Sequence, residues 1–494
     1  MRTPHADDPT LRWAKWGLAG LFLAWALIPP LTMPSLTLDA AEGFAWGHGW
    51  QLGYAKHPPL QAWLLESTRI LFGASSFSHV WLSAACLVLC HFAVWRAARH
   101  VVEPVTAFWA SAALQTIYFV NYTTPEFNPN VVQLAVFALA GLFALRALET
   151  GRPADWLALG ATLGIGMYAK YSVALSAVTI ALFFIADREA RAKLRTPWPY
   201  LAAALAVALF IPHVIWMLGA GKPTIAYVME RSTPAHGLPG RISHVIEYLG
   251  GLIGTAAPLA LLVWFGGGRT LKADWNADVR HRLVYGLAFG PAVLTVLLAI
   301  VAGLRIKGAW MAPFFDYVPL ALILLSGLDA RGARWRMGGP IVGGFAAVAL
   351  IAYCAANLLH PWVAHKPMRV HFPGQALAAK VEAEWAAREP GHPLKVIIGP
   401  TYIASPAAYF AKAHPFARID DIEAINPWAP ESLVEHEGAV LLWNAEQRGD
   451  AIPPEFAATR PTLINLGLAV LAYQTGAPLK PARIGMALLP PATP

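Results

Sequence analysis

The run LDAAEGFAWGHGWQLGYAKHPPL, residues Leu38 to Leu60, decides how this chain is read. It follows a hydrophobic span, Trp16–Leu31. It carries Asp39, Glu42, His48, Lys56 and His57, with the rings of Phe44, Trp46, Trp50 and Tyr54, before the stiff Pro58-Pro59 step. A connector that only joins two membrane helices needs no such concentration of polar and aromatic chemistry. At the outer lipid surface it reads as a catalytic loop.

The composition around it sets the class. Of the 494 residues, 57% are hydrophobic and 13% charged, whereas soluble domains carry about 25% charged residues. The apolar residues fall in runs that approach the roughly 20 needed to cross a bilayer as a helix. Eleven spans are predicted: Trp16–Leu31, Val80–Val94, Val105–Val120, Val131–Leu148, Trp156–Ala169, Val173–Ala186, Pro199–Leu218, Leu249–Phe265, Leu283–Ala302, Trp310–Leu328 and Pro340–Leu359. The fifth and sixth form a tight hairpin turning at Lys170-Tyr171.

Lys and Arg counts in alternate loops give the orientation. With the N-terminus inside, eighteen fall on the cytoplasmic side. Only Lys56, Arg69, Lys170, Lys222, Arg231, Arg241, Arg305 and Lys307 fall outside before the last span. An odd span count then places the tail from His360 onward outside. The net charge of +8 follows from this topology and does not signal nucleic-acid binding. The first span lacks a small-residue cleavage pattern and reads as a retained helix. Cys86, Cys90 and Cys354 lie in spans, so no disulfide framework or thiolate zinc site is implied.

Two parts follow: a membrane domain over 1–359 and an external domain over 360–494. The loop from Gly219 to His244 is long and external. In the tail, a helix over Gln375–Arg388, a strand over Lys395–Gly399, a helix over Ser405–Lys412 and strands over Ala439–Trp443 and Ile484–Leu489 give a small α/β domain.

Several constellations carry chemistry. Asp39 and Glu42, three apart on a helix, share a face and suit a general base with a supporting carboxylate. The same pair also fits an N-cap and capping box. Glu126 and Asn128 lie in the second external loop, as a further carboxylate or as a cap for the fourth helix. Lys56, His57, Lys170, Arg305 and Lys307 stand at outer helix ends. Topology disfavours positive charge there, so an anionic ligand is the alternative to simple interfacial anchoring. Trp46, Tyr54, Tyr171 and Trp310 could meet sugar or lipid. Gly160 and Gly164 allow close helix approach. His48 and His57 lack local metal-ligand spacing, so no metal ligand is assigned.

These residues resemble the first external loop of bacterial GT-C-class membrane glycosyltransferases. The likeness is to the protein mannosyltransferase-like family that contains the lipid A aminoarabinose and lipopolysaccharide galacturonosyl transferases. Asp39 matches the family's acidic position. Gly53-Tyr54 and His57-Pro58-Pro59-Leu60 match its second block, and Thr124-Pro125-Glu126 its T-P-D-like turn. Lys170 in GIGMYAKYS matches its lysine after a glycine-rich helix, and RIKGAWMAPFF its later Trp-containing block. Where the family often has a second acidic residue beside the first, this chain has Ala40.

The resemblance implies an α-helical polytopic GT-C membrane fold and inverting transfer of a sugar from a polyprenyl-phosphate carrier. The acceptor would be an envelope glycolipid or protein at the outer face of the bacterial inner membrane. Asp39 would be the base, supported by Glu42 and Glu126, with the five basic residues on the leaving phosphate. No cofactor is required by this pattern, and a divalent metal stays open. Two other readings stand beside it: a transporter or flippase of an anionic lipid or solute, and a non-catalytic envelope assembly partner. Transporters place ionisable groups near the midplane, often in repeated halves. Here the charges gather at outer ends and no repeat is visible.

Overall fold

The computed structural model describes residues 9–221, 223–232, 237–267, 278–305, 308–328 and 338–492. Helix α1 (Pro9–Leu31) leads into two short helices, α2 (Leu38–His48) and α3 (Leu60–Phe72); the decisive run forms α2 and the loop 49–59 that joins it to α3. The bundle continues with α4 (Ser78–Ala98), α5 (Pro104–Ala112), α6 (Pro129–Thr150), α7 (Pro153–Met167), α8 (Val173–Ala186), α9 (Trp198–Gly219), α10 (Pro223–Arg231), α11 (Gly237–Phe265), α12 (Val279–Ala302), α13 (Val318–Ser326) and α14 (Gly338–Ala364).

Each predicted span meets helix, but not always one long helix. Seven helices among the described residues are long and apolar enough to cross a membrane: α4, α6, α9, α11, α12, α14 and α1 from Leu11 onward. The chain is a multi-pass membrane protein. The other predicted spans are shorter or broken. Val105–Val120 is the nine-residue α5 followed by 3₁₀ turns to Val120, and Trp310–Leu328 begins as 3₁₀ turns before α13. The loop predicted over Gly219–His244 is largely helical: α10 lies within it, and α11 starts at Gly237. Its Lys222 and His236 lie outside the described residues.

Two glycines set the tightest helix contact. A Cβ on Gly160 would stand 2.3 Å from the Ala202 carbonyl oxygen, and one on Gly164 2.8 Å from that of Ala206. The small pair on α7 therefore lets α9 approach backbone to backbone, as the sequence spacing predicts.

Beyond α14 the chain forms α15 (Gly374–Arg388), β1 (Val396–Gly399), α16 (Thr401–Phe410), β2 (Phe416–Ile419), α17 (Glu431–Glu437), β3 (Ala439–Asn444), β4 (Ile464–Leu471) and β5 (Ala482–Leu489). The sheet order is β2-β1-β3-β5-β4. β1 is parallel to β2 and β3, while β5 is antiparallel to β3 and β4. The strands β2 and β4 escape the sequence reading. β2 is four residues long, and β4 is a largely open edge strand with a register shift between Asn465 and Gly467.

This α/β region rests on the membrane part through α2. Ala45, Trp46, Tyr54 and Ala62 belong to the same apolar cluster as Val396, Ile397, Val440 and Leu441 in the sheet. Tyr409 on α16 packs against Phe44 with ring centroids 4.2 Å apart, and its hydroxyl accepts a bond from the Ser75 amide at 2.8 Å. The run 38–60 is thus the seat on which the C-terminal region sits, and both lie on one side of the bundle.

Candidate active site

Helix α2 opens with Thr37 at the cap position, and Thr37 makes no side-chain cap bond. Asp39 lies inside the first turn. The cap alternative for Asp39 and Glu42 therefore fails on geometry, although a carboxylate in a first turn still suits the positive helix end. Asn128 does take the cap alternative: its side chain accepts from the Asn130 amide at 2.9 Å and starts α6.

Asp39 and Glu42 then diverge. Glu42 is buried and ion-paired with Lys56. Asp39 is exposed, yet protein surrounds it closely enough that loss of solvation raises its pKa. The charges of Lys56, Arg369 and Lys170 work against that rise. Glu126 is likewise exposed and likewise raised, by desolvation first and then by the Asp39 carboxylate, with Arg369 opposing. Two accessible carboxylates thus lie close to one another, with Lys56, Lys170 and Arg369 within electrostatic reach of Asp39 and Arg369 within reach of Glu126.

The segments that carry these charges are tied together by a few polar contacts. The Gln61 amide donates to the Asp39 carbonyl at 3.0 Å and to the Phe127 carbonyl at 3.4 Å. This ties the Asp39 turn to the loop of Glu126. The Leu60 amide donates to the Tyr168 carbonyl at 2.9 Å, bringing in the α7–α8 turn with Lys170. A Cβ on Gly53 would stand 2.2 Å from the Trp216 ring, so only glycine lets this loop lie on α9.

Lys170 donates to Asn130 Oδ1 at 2.8 Å and stands 4.9 Å from the Trp310 ring centroid. Burial lowers its pKa to about 7, while Asp39 pulls the other way. His57 is pushed down to about 3, by burial and then by the charges of Lys170 and Lys56. It is a neutral imidazole at physiological pH and can only give or take hydrogen bonds. Its ring contacts Tyr227 at 5.7 Å.

Lys56, His57 and Lys170 therefore converge, and Arg305 does not join them. It pairs with Glu247 at 3.1 Å on an exposed surface of α11, because that carboxylate is its near neighbour. Lys307 lies outside the described residues. Trp46 and Tyr54 form a buried stack, centroids 5.2 Å apart, with Trp428 against Tyr54 at 5.7 Å. The C-terminal region covers them, so neither offers an open face to sugar or lipid. The Tyr171 hydroxyl bonds His213 Nε2 and Thr224 Oγ1, both at 2.7 Å, and fastens the turn to α9 and α10. Of the four predicted aromatic contacts, Trp310 stays beside the cations.

Arg369 is the residue the sequence reading missed. It sits in KPMRVHF just after α14 and is exposed. The reading placed the end of the membrane part at 359 and treated what followed as a separate unit. The signal available was an isolated basic residue close behind the last apolar helix. Gln61 and Asn130, as supports of Asp39 and Lys170, carry no sequence signal of their own.

Comparison with known proteins now bears on this geometry. Residues 56–216 match the dolichyl-phosphate-mannose-protein mannosyltransferase family. The chain is 25% identical over 492 residues to the lipopolysaccharide core galacturonosyltransferase RgtA of Rhizobium johnstonii, covering 93% of this chain and 92% of the relative. It is 23% identical over 471 residues to RgtB of the same organism, covering 90% of each. The fold matches that of ArnT from Cupriavidus metallidurans bound to undecaprenyl phosphate, with a TM-score of 0.65 at 14% identity, over 96% of this chain and 98% of that one.

Proposed function

We infer that this chain, a polyprenyl-phosphate-dependent membrane glycosyltransferase of the GT-C class, moves one sugar to an envelope acceptor of the lipopolysaccharide or lipid A kind. The transfer takes place at the outer face of the bacterial inner membrane, with residues 360–494 as a periplasmic domain. The observation that carries the residue assignment is this grouping of charges. Asp39, its pKa raised by burial, lies within electrostatic reach of Lys56, Lys170 and Arg369, and Glu126 within reach of Asp39 and Arg369, from different parts of the chain.

In the proposed reaction the acceptor hydroxyl attacks the anomeric carbon from the face opposite the carrier. As the new C–O bond forms, Asp39 takes the hydroxyl proton, and the bond to the carrier phosphate breaks with inversion. A base with a raised pKa is suited to this task, because it holds the proton better once transferred. The leaving phosphate takes up negative charge where Lys170 and Lys56 stand, in surroundings dry enough to make those charges count. His57 donates a hydrogen bond from its neutral ring, Trp310 backs Lys170, and Glu126 helps to orient the acceptor.

The relatives named galacturonosyltransferases support a uronic acid as the sugar. Such a donor carries a carboxylate besides its phosphate. Arg369, beside Asp39 and Glu126, is the cation left for it once Lys170 and Lys56 take the phosphate. The test is reconstitution of purified protein with a polyprenyl-phosphate uronic acid, a neutral-sugar analogue and a lipid A-core acceptor. Transfer of the uronic acid alone supports the reading. Transfer of neither rejects it, and preference for the neutral sugar rejects the role of Arg369. A reporter fused after Pro494 and active only in the cytoplasm would overturn the topology.

A further inference from the structure

A second cluster lies at the seam between α2–α3 and the C-terminal region. His48 ends α2, Glu66 stands on α3, and His414 lies between α16 and β2. Their candidate ligand atoms all fall within 4.8 Å of one another. His48 Nδ1 is 3.4 Å and His414 Nε2 is 3.5 Å from the same oxygen, Glu66 Oε1. The Glu66 side chain is 1% exposed, and those of His48 and His414 are 23% and 16% exposed.

These separations are long for hydrogen bonds, whose usual N···O range is about 2.7–3.2 Å. They do match the edge of a metal tetrahedron. Nitrogen and oxygen ligands at zinc bond lengths of about 2.0–2.2 Å stand ~3.3–3.5 Å apart. His414 Nδ1 is buried without a hydrogen-bond partner, and two imidazoles are held with centroids only 4.0 Å apart. Neither feature is explained by packing alone, since a buried polar atom without a partner costs free energy.

We propose that His48, Glu66 and His414 form a site for a zinc-class divalent cation that fastens the C-terminal region to α2 and α3. Imidazole nitrogens select zinc, cobalt or nickel over calcium and magnesium, which favour all-oxygen sets. Three protein ligands leave a fourth position for water. Arg69 completes the arrangement: its guanidinium donates to Glu66 Oε1 at 2.8 Å and to Oε2 at 3.0 Å. It orients the carboxylate, as partners of ligating groups commonly do. The site is separate from Asp39, because nine residues of helix place His48 ~13 Å from it along α2. The local sequence gives no metal pattern, since the third ligand comes from the far end of the chain.

The experiment uses the full chain, purified in detergent without a histidine tag. Elemental analysis should find close to one zinc per chain. After stripping, zinc titration should restore that stoichiometry and raise the melting temperature, and cobalt should give the visible absorption of a tetrahedral site. His414→Ala and His48→Ala should each weaken zinc binding by at least ~10-fold, a loss seen even when only a supporting partner is removed. Asp39→Asn should bind zinc as wild type does, so this result stands apart from the transferase reading. A folded wild-type chain that binds neither zinc nor cobalt at defined stoichiometry overturns the proposal. So does a His414→Ala protein that binds zinc as tightly as wild type. If that variant does not fold, the wild-type titration decides alone.

Discussion

Replacing Asp39 with asparagine separates chemistry from folding, because the structure puts opposite signs on the two. Asp39 lies in the first turn of α2, where a charged carboxylate gains about 0.3–1 kcal/mol from the helix end, and asparagine forfeits that. The raised pKa acts the other way. A carboxyl whose folded pKa lies above its unfolded value favours the protonated fold. Its charged form therefore weakens the fold once pH exceeds the folded value. Asparagine removes that penalty as well, so the net change in stability should stay within about 1 kcal/mol of zero. The chemical loss is far larger. General-base catalysis supplies about 10²–10⁴-fold, which is about 2.7–5.4 kcal/mol of barrier. Purified Asp39→Asn protein should melt close to wild type and lose at least ~100-fold in sugar transfer. The wild-type rate should rise with pH through the Asp39 pKa and then fall as Lys170 loses its charge near pH 7. Near-normal turnover in the folded variant would refute the base assignment and direct attention to Glu126.

Other outcomes follow from the same geometry. Lys56→Gln strands the buried Glu42 carboxylate; discounted for the half-exposed lysine, the cost should be about 1–3 kcal/mol in thermal unfolding. The double change Lys56→Gln, Glu42→Gln should recover most of that stability without recovering donor binding; failure to recover stability would show that the pair is not coupled. Lys170, with a pKa near 7, is charged below that pH and neutral above it. Donor affinity measured by equilibrium binding should therefore fall as pH rises through about 7, and Lys170→Arg should flatten the curve. Gly53→Ala drives a methyl into Trp216 and should cost about 1–3 kcal/mol as an overpacked contact, which a melting curve that matches wild type would contradict.

What the sequence revealed depends on how far apart the contributing residues lie. Asp39, Lys56 and His57 were legible because they crowd one short run, and Lys170 because a lysine between two apolar segments is costly. The spans were legible as apolar runs, but α5 was not legible as a broken helix, since hydropathy is blind to the switch into 3₁₀ turns at Ala113. Tyr54 and Trp46 looked like ligand contacts because an aromatic pair in a polar loop suggests recognition. They are buried because a region more than three hundred residues later in the chain packs on them. Arg369 and His414 stayed hidden for the same reason: their partners are set by tertiary docking, which leaves no local pattern. β4 was missed because its open, glycine-interrupted run shows little of the alternation that marks a half-buried strand.

The Gln61 side chain has a consequence of a different kind. Its one NH₂ group spends a hydrogen on each of two carbonyls, those of Asp39 and Phe127. It acts as a spacer gauge between two segments of backbone, the Asp39 turn and the loop that holds Phe127. A displacement of the start of α3 would therefore pull on the Asp39 turn and the Glu126 loop together. One buried amide thus sets the spacing of two carboxylates that belong to different parts of the chain.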